Sequence, residues 1–330
     1  MKKYQPCRKK TAAEKIISSE TAAGNNNLFD AVIIGGGAAG MSAALWCDEL
    51  GLKTLLLEEK RELGGQLRQV FNPIKNHLGA DAKNGRELQE NFLKQIKPHK
   101  FALCTQSKVV KIEIKRKCIV LETGEKIAWC FLIIAMGVQR RKLGVEGEEK
   151  FINRGIIESA KRDAKLVKNK IAAVVGGGDA ALENALILAE TTAEVTLIHH
   201  RKNFRARAEF LDRVQKNKKI KVLTDTTVVR FNGNKNLESL ELKNLKTKKI
   251  FTLPVEAVLL RIGVESNTKI FRGKIDLDEQ GYIKINSDCE TGTKNIFAIG
   301  DAANPISPTI SSAVGMGATA AKAIFARLNS

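Results

Sequence analysis

With 330 residues, 43% of them hydrophobic, the chain is long enough for two domains with sizeable cores. No stretch approaches the ~18 apolar residues of a membrane span, and the Lys-rich N-terminus lacks the apolar segment of a secretory signal. Net charge is +19, of which residues 1–27 supply six Lys or Arg against two Glu, so most of the excess lies on the remaining chain. Such a basic body either steers an acidic partner or is simply a Lys-rich surface. No interleaving of basic and aromatic residues points to nucleic acid. The six cysteines are Cys7, Cys47, Cys104, Cys118, Cys130 and Cys289. No two are spaced as a Cys-x-x-Cys redox pair or zinc knuckle. A reducing cytoplasm is the expected compartment, and no metal site is expected.

Residues 1–28 are polar and end in Gly24-Asn-Asn-Asn27, which predicts a flexible extension. An apolar strand, Phe29 to Ile34, then runs into Gly35-Gly-Gly37-Ala38-Ala39-Gly40 and a helix over Met41–Leu50. A second strand from Lys53 to Leu57 ends in Glu58. Lys108 to Ala135 alternates apolar and polar residues, which suits a small antiparallel insertion. The opening arrangement returns 141 residues later: strand Ile171–Val175, loop Gly176-Gly-Gly178-Asp179-Ala180-Ala181, helix Leu182–Glu190 and strand Glu194–Ile198. Lys221 to Ile262 repeats the antiparallel pattern. The fold class is therefore α/β, with two Rossmann-like dinucleotide-binding domains, each with a small antiparallel insertion. The expected bounds are 29–143 and 260–330 for a split first domain and 144–259 for an inserted second one.

The two loops lead toward different chemistry. In the first, Gly35 permits a tight turn, Gly37 lets backbone approach a pyrophosphate, and Gly40 lets helix and strand pack closely. The helix N-terminus offers free N–H groups to phosphate. Glu58 is placed to accept hydrogen bonds from a ribose diol. After the second loop, Ile198 leads into His199-His200-Arg201-Lys-Asn-Phe-Arg205, with no acid. Basic side chains here suit a ribose 2′-phosphate, with Arg201 and Arg205 making charge-assisted bonds. The alternative is an exposed basic turn.

These loops, with Gly64-Gly65-Gln66-Leu67, Asn76, Ala135-Met-Gly137, Ile262-Gly263, Asn267-Thr268 and Phe297-Ala-Ile-Gly300-Asp301, resemble the low-molecular-weight thioredoxin reductases and their two-dinucleotide-fold flavoprotein relatives. The resemblance covers nearly all of residues 29–328. It implies FAD in the first domain, held by Gly35, Gly37, Ala38, Ala39, Gly40, Glu58, Gly65, Gln66, Leu67, Asn76, Gly137, Gly300, Asp301, Thr309 and Ile310. Ser307 and Pro308 are expected as N-cap and first residue of the last helix. The N–H groups of Thr309 and Ile310 would lie at the flavin N1/O2 edge. For NADPH, or NADH, the resemblance implies Gly176, Gly178, Asp179, Ala180, Ala181, His199, His200, Arg201, Arg205 and Ile262. Family members are usually homodimers.

One motif departs from the resemblance. Ser159 and Arg162 occupy the two thiol positions of the family's Cys-x-x-Cys. Neither side chain has a disulfide state, so thiol–disulfide exchange there is chemically excluded. Relatives that reduce bacillithiol disulfide carry a Cys where this chain has Ala39. Ser159, Arg162 and Asp163 either face the flavin in one domain orientation or form a solvated turn. The implied function is an FAD-dependent NAD(P)H oxidoreductase that passes electrons from flavin directly to an external acceptor. An acidic carrier such as ferredoxin or flavodoxin is the first expectation. The alternatives are a flavin-containing sensor or scaffold without turnover, and disulfide reduction through Cys7.

Overall fold

In the computed structural model, the described residues are 29–330; the expected flexible extension and Cys7 lie outside them. The first elements in chain order are β1 (Phe29–Ile34), α1 (Ala38–Glu49), β2 (Thr54–Leu57), α2 (Gly85–Ile96), β3 (Ala102–Cys104), β4 (Val109–Glu113), β5 (Cys118–Leu121), β6 (Lys126–Ile134) and β7 (Val138–Arg140). There follow β8 (Ile156–Ile157), β9 (Ile171–Gly176), α3 (Asp179–Ala189), β10 (Glu194–Ile198), α4 (Ala208–Lys216) and β11 (Ile220–Leu223). The chain ends with β12 (Thr226–Asn232), β13 (Ser239–Asn244), β14 (Ile250–Pro254), β15 (Ala257–Arg261), β16 (Val264–Ser266), β17 (Ile296–Ala298) and α5 (Ile310–Leu328).

Two compact units emerge, parting at Gln139/Arg140 and Glu265/Ser266. Sequence patterning places these boundaries at 143/144 and 259/260 instead. The difference arises because β7 and β16, the two crossing segments, pair as a ribbon. A boundary read from apolar patterning alone does not see that pairing.

The first unit is built on a sheet in the order β3-β2-β1-β6-β5-β4, with β17 also pairing β6. From Ala31 to Ile34, β1 is apolar and buried on both faces, as suits a central parallel strand. The nine-residue β6 serves two layers: its start pairs antiparallel with β5, and Trp129–Ile134 pairs parallel with β1. Only the first part of the expected insertion is therefore antiparallel. On one face of the sheet, α1 packs against α5. Gly317 of α5 makes that approach possible, because a Cβ there would lie 2.7 Å from Ala39 O and 2.8 Å from Ala43 N. Nearby, the Ser42 hydroxyl donates to Val314 O at 2.7 Å, tying the two helices.

The second unit carries an all-parallel sheet, β11-β10-β9-β15-β8, and a separate antiparallel sheet, β12-β13-β14. Periodicity alone assigns all of Lys221–Ile262 to the antiparallel layer. The two ends of that stretch, β11 and β15, instead join the parallel sheet through Ile220–Leu223 on β10 and Ala257–Arg261 on β9. Their alternation reflects edge exposure in β11 and gives way to a buried run, Ala257–Leu259, in β15. Among the described residues, no helix is long and apolar enough to cross a membrane.

Gly317→Val places branched carbon against α1 backbone that cannot yield. We expect a loss of about 2–4 kcal/mol in a denaturant titration; unchanged stability would refute the close helix contact.

Candidate dinucleotide sites and the Ser159 turn

The first loop is shaped by close backbone contact. Gly35 has φ +106°, and a Cβ there would sit 2.4 Å from Ala135 O. A Cβ on Gly40 would lie 1.9 Å from Gly35 O, so helix and strand approach to a distance that only glycine allows. At Gly37, by contrast, nothing lies within 4 Å of where a Cβ would be. Gly37 is the N-cap of α1 and supplies no side-chain acceptor to the first turn. The orphan N–H groups of that turn, the donor set a diphosphate requires, thus lie beside open space. Ala38 and Ala39 open the helix with side chains too small to obstruct it. Glu58, buried at the end of β2, accepts from Gly36 N at 2.7 Å and Lys60 N at 2.8 Å. Each oxygen keeps acceptor capacity for a diol.

Several other first-domain positions converge on this loop. Gly65 packs its Cα region against Gly37, Leu67 is buried, and the Gln66 side-chain amide donates to Val138 O. Gly300, φ +66°, brings its turn against Ala39. Asp301 comes next in the chain. Burial raises its carboxyl above the ordinary range, and it has no hydrogen-bond or ion-pair partner among the described residues. A desolvated, unpartnered carboxylate next to the Gly300 turn fits a hydroxyl donor of a bound flavin nucleotide. Gly137 has open space around it, and its carbonyl accepts from Asn267 N at 3.1 Å. Asn76 is exposed. Its neighbour His77 reaches the Ser311 hydroxyl at 3.0 Å and packs edge-on to Phe92.

The start of α5 differs from expectation. The N-cap is Thr309, not Ser307: its hydroxyl accepts from Ser312 N at 3.2 Å, and the Ser312 side chain closes a capping box. Pro308 therefore precedes the cap. The reason is local, since a Thr followed three residues later by a hydroxyl satisfies two donors at once. Thr309 N is already spent on Ser307 O at 2.8 Å, which leaves Ile310 N as the first free donor.

The second loop repeats the design. Gly176 has φ +152°, with a hypothetical Cβ 2.2 Å from Arg261 O, and nothing lies within 4 Å of Gly178, the uncapped N-cap of α3. Ala180 and Ala181 occupy the first turn. Asp179 is held by Arg207, a partner that no sequence motif flags: backbone and guanidinium each donate at 2.8 Å. His199 is not aimed at solvent. It is buried, lies where any side chain on Gly177 would go, stacks on Phe204 and donates from Nε2 to Asn203 O at 3.1 Å. Burial first, then the neighbouring cations, hold its pKa below the ordinary value. It is a neutral wall, and His200, Arg201 and Arg205 are the exposed members of the run. Ile262 is half-buried after β15.

The Ser159 turn is ordered, not loose. Asp163 is 4% exposed and accepts from Glu158 N at 3.0 Å and Ser159 N at 3.1 Å. Arg162 clamps the same carboxylate, from Nε at 2.6 Å and Nη2 at 3.0 Å, and reaches Glu158 Oε2 at 2.8 Å. The Ser159 hydroxyl accepts from Arg162 N at 3.2 Å. Burial alone would raise the Asp163 carboxyl; the Arg162 guanidinium and the two backbone N–H groups outweigh it and hold it below the ordinary range. Elsewhere, burial pushes thiols up, Cys47 to about 12 and Cys289 to about 11, and Cys118 and Cys130 also rise. None of the five described cysteines forms a disulfide. No group of three His, Cys, Asp or Glu among the described residues could hold a metal ion.

Two glycine loops, each following a strand paired in parallel and each opening an uncapped helix, define a protein that handles two dinucleotides. The sequence pattern of the pyridine nucleotide-disulphide oxidoreductases matches residues 29–317, and the chain belongs to that family. It is 32% identical over 286 residues to a thioredoxin reductase of Streptomyces coelicolor, covering 86% of this chain and 88% of that one. It is 31% identical over 299 residues to a ferredoxin–NADP reductase of Picrophilus torridus, covering 86% and 89%. Among solved structures it is similar to Lactococcus lactis thioredoxin reductase in its FR conformation, with TM-score 0.78 and 30% identity over 90% of this chain and 98% of that one. It is an NAD(P)H-dependent flavin oxidoreductase, and FAD and NADPH are its family's cofactors.

Asp163→Asn removes the charge that gathers this turn. A carboxyl whose folded pKa lies below its unfolded value of about 3.9 stabilises the fold above that pH and stops doing so as pH falls through the folded pKa. We therefore expect the variant to be about 1–3 kcal/mol less stable at pH 7, with the gap narrowing as pH falls from the unfolded value through the lower folded one. A gap independent of pH would show that the charge is not what holds the turn.

Proposed function

We propose that this protein oxidises NADPH and delivers the electrons to an external carrier without a dithiol relay. The observation that carries the reading is the turn at Ser159 and Arg162. Where a thiol pair would stand, a hydroxyl caps a backbone N–H and a guanidinium grips Asp163. Neither group can be oxidised and reduced in turn. The described cysteines offer no substitute, since four of them have thiol pKa values raised by burial and Cys104 is fully buried. Thiolates are the reactive form, and burial of this kind suppresses them.

In this reading the first loop, Glu58, Asp301 and the free N–H of Ile310 hold FAD. The second loop holds NADPH, with Arg201 and Arg205 on its 2′-phosphate. The flavin would supply the conversion of a two-electron donor into single electrons. The chain's own contribution is binding and field: uncapped helix N-termini attract phosphate, and the N-terminus of α5 favours negative charge near Ile310. The net charge of +19 would steer an acidic carrier such as ferredoxin or flavodoxin. The similarity to a ferredoxin–NADP reductase supports an acceptor of that kind. A homodimer is part of the same proposal.

Two measurements test the reading. Anaerobic mixing of the holoprotein with NADPH should bleach the oxidised flavin band, and Arg201→Gln or Arg205→Gln should weaken NADPH binding about tenfold or more while sparing NADH. No bleaching with either nucleotide would favour a flavoprotein without turnover. Alkylation of accessible thiols with N-ethylmaleimide should leave NADPH oxidation by a one-electron acceptor unchanged. Abolition of that turnover would restore a thiol route, including one through Cys7.

A further inference from the structure

Three arginines crowd the backbone around Glu158, and only one of them is neutralised. Arg162 meets the carboxylates of Asp163 and Glu158. Arg140 and Arg261 have no carboxylate oxygen within the 4.0 Å of an ion pair among the described residues. Both instead donate to one neutral oxygen, Glu158 O, from Arg140 Nη1 at 2.6 Å and Arg261 Nη2 at 2.9 Å. Arg261 also reaches Leu260 O at 3.0 Å and Asn184 Oδ1 at 3.4 Å, and Asn184 is oriented by its own bond to Ala180 O at 2.7 Å. The acids near them act only through space: Glu158 and Asp163 on both arginines, and Glu183 on Arg261. Two of those three are already engaged by Arg162.

A guanidinium stays protonated in proteins. Two half-buried cations are therefore held in one hydrogen-bond shell. Burial lowers the pKa of both, and repulsion adds to it, from Arg162 on Arg140 and from Arg140 on Arg261, which falls to about 10. The arrangement costs free energy that an anion would recover.

Its place in the sheet says which anion. Arg261 ends β15 directly beside Gly176, the end of β9, and Glu158 follows β8. In the order β11-β10-β9-β15-β8, the basic run after β10 lies on one side of the Gly176 loop and the arginine pair on the other. Dinucleotides bind across the carboxyl ends of such strands. With adenosine at β10 and pyrophosphate at the loop, the nicotinamide half reaches β15 and β8.

We propose that Arg140 and Arg261 form an anion site for the nicotinamide-side phosphate of the bound dinucleotide. The proposal rests on the reading of the second loop as the NADPH site. Arg201 and Arg205 would meet what distinguishes NADPH from NADH; this pair would meet what the two share.

The test is calorimetric titration of the FAD-loaded protein with NADP+, NAD+, nicotinamide mononucleotide and 2′,5′-ADP. Arg140→Gln and Arg261→Gln should each weaken NADP+, NAD+ and nicotinamide mononucleotide about tenfold, leave 2′,5′-ADP unchanged, and keep or raise the melting temperature of the nucleotide-free protein. Arg261→Lys should recover part of the loss. Should Arg261→Gln fail to fold, Arg140→Gln carries the test, because the one hydrogen bond it loses among the described residues is to a carbonyl. Unchanged binding of NADP+ and the mononucleotide would overturn the proposal, as would an equal loss for 2′,5′-ADP. Variants that slow only turnover with an acidic carrier protein would overturn it as well, by assigning the pair to a protein partner. A wild-type protein that binds neither 2′,5′-ADP nor NADP+ would instead refute the second-loop reading itself.

Discussion

The fold of both units turns on two places where a helix begins almost in contact with a strand. Gly40 of α1 lies so near the Gly35 carbonyl, and Gly176 so near the Ala181 side chain of α3, that a single added carbon is forbidden at either. That proximity aims the uncapped N-terminus of each helix at the carboxyl edge of its sheet. The donors left over at a helix start are normally a problem for folding. Here they are left without side-chain caps at Gly37 and Gly178, and become usable by phosphate.

The pattern of glycines makes these two places legible without coordinates, because spacing and backbone geometry are the same fact. Features set by tertiary partners are not legible. His199 reads as one more base in a basic run, yet it is buried under Gly177, because Phe204 five residues on folds back to stack on it. The cap at Thr309 lies two residues beyond its expected place because Ser307 and Thr309 are equally good candidates until Ser312 is seen to close the box. β11 and β15 lie at the two ends of a stretch that otherwise alternates like hairpin strands, and only their register with β10 and β9 reveals them as parallel. Arg207, Arg140 and Arg261 carry no local signal at all; their meaning comes from what stands opposite them.

The Ser159 turn is held together by charge and hydrogen bonds. A buried carboxylate at Asp163 gathers two backbone N–H groups and a guanidinium, and the Ser159 hydroxyl closes the turn from the other side. These bonds hold the turn without any thiol. The same turn presents its Glu158 carbonyl to two further arginines, so its rigidity fixes the position of their charge.

β6 has a consequence for how the molecule comes apart. One strand carries hydrogen bonds to the antiparallel layer at its start and to the nucleotide-binding sheet along the rest. In the first unit, the small layer cannot detach without disturbing the strand next to the first glycine loop, so the two melt as one cooperative block. The second unit gives its three-stranded layer strands of its own, β12, β13 and β14. Backbone amides there can open to solvent while the parallel sheet beneath them stays closed, and the two halves of one duplicated design thereby acquire different local stabilities.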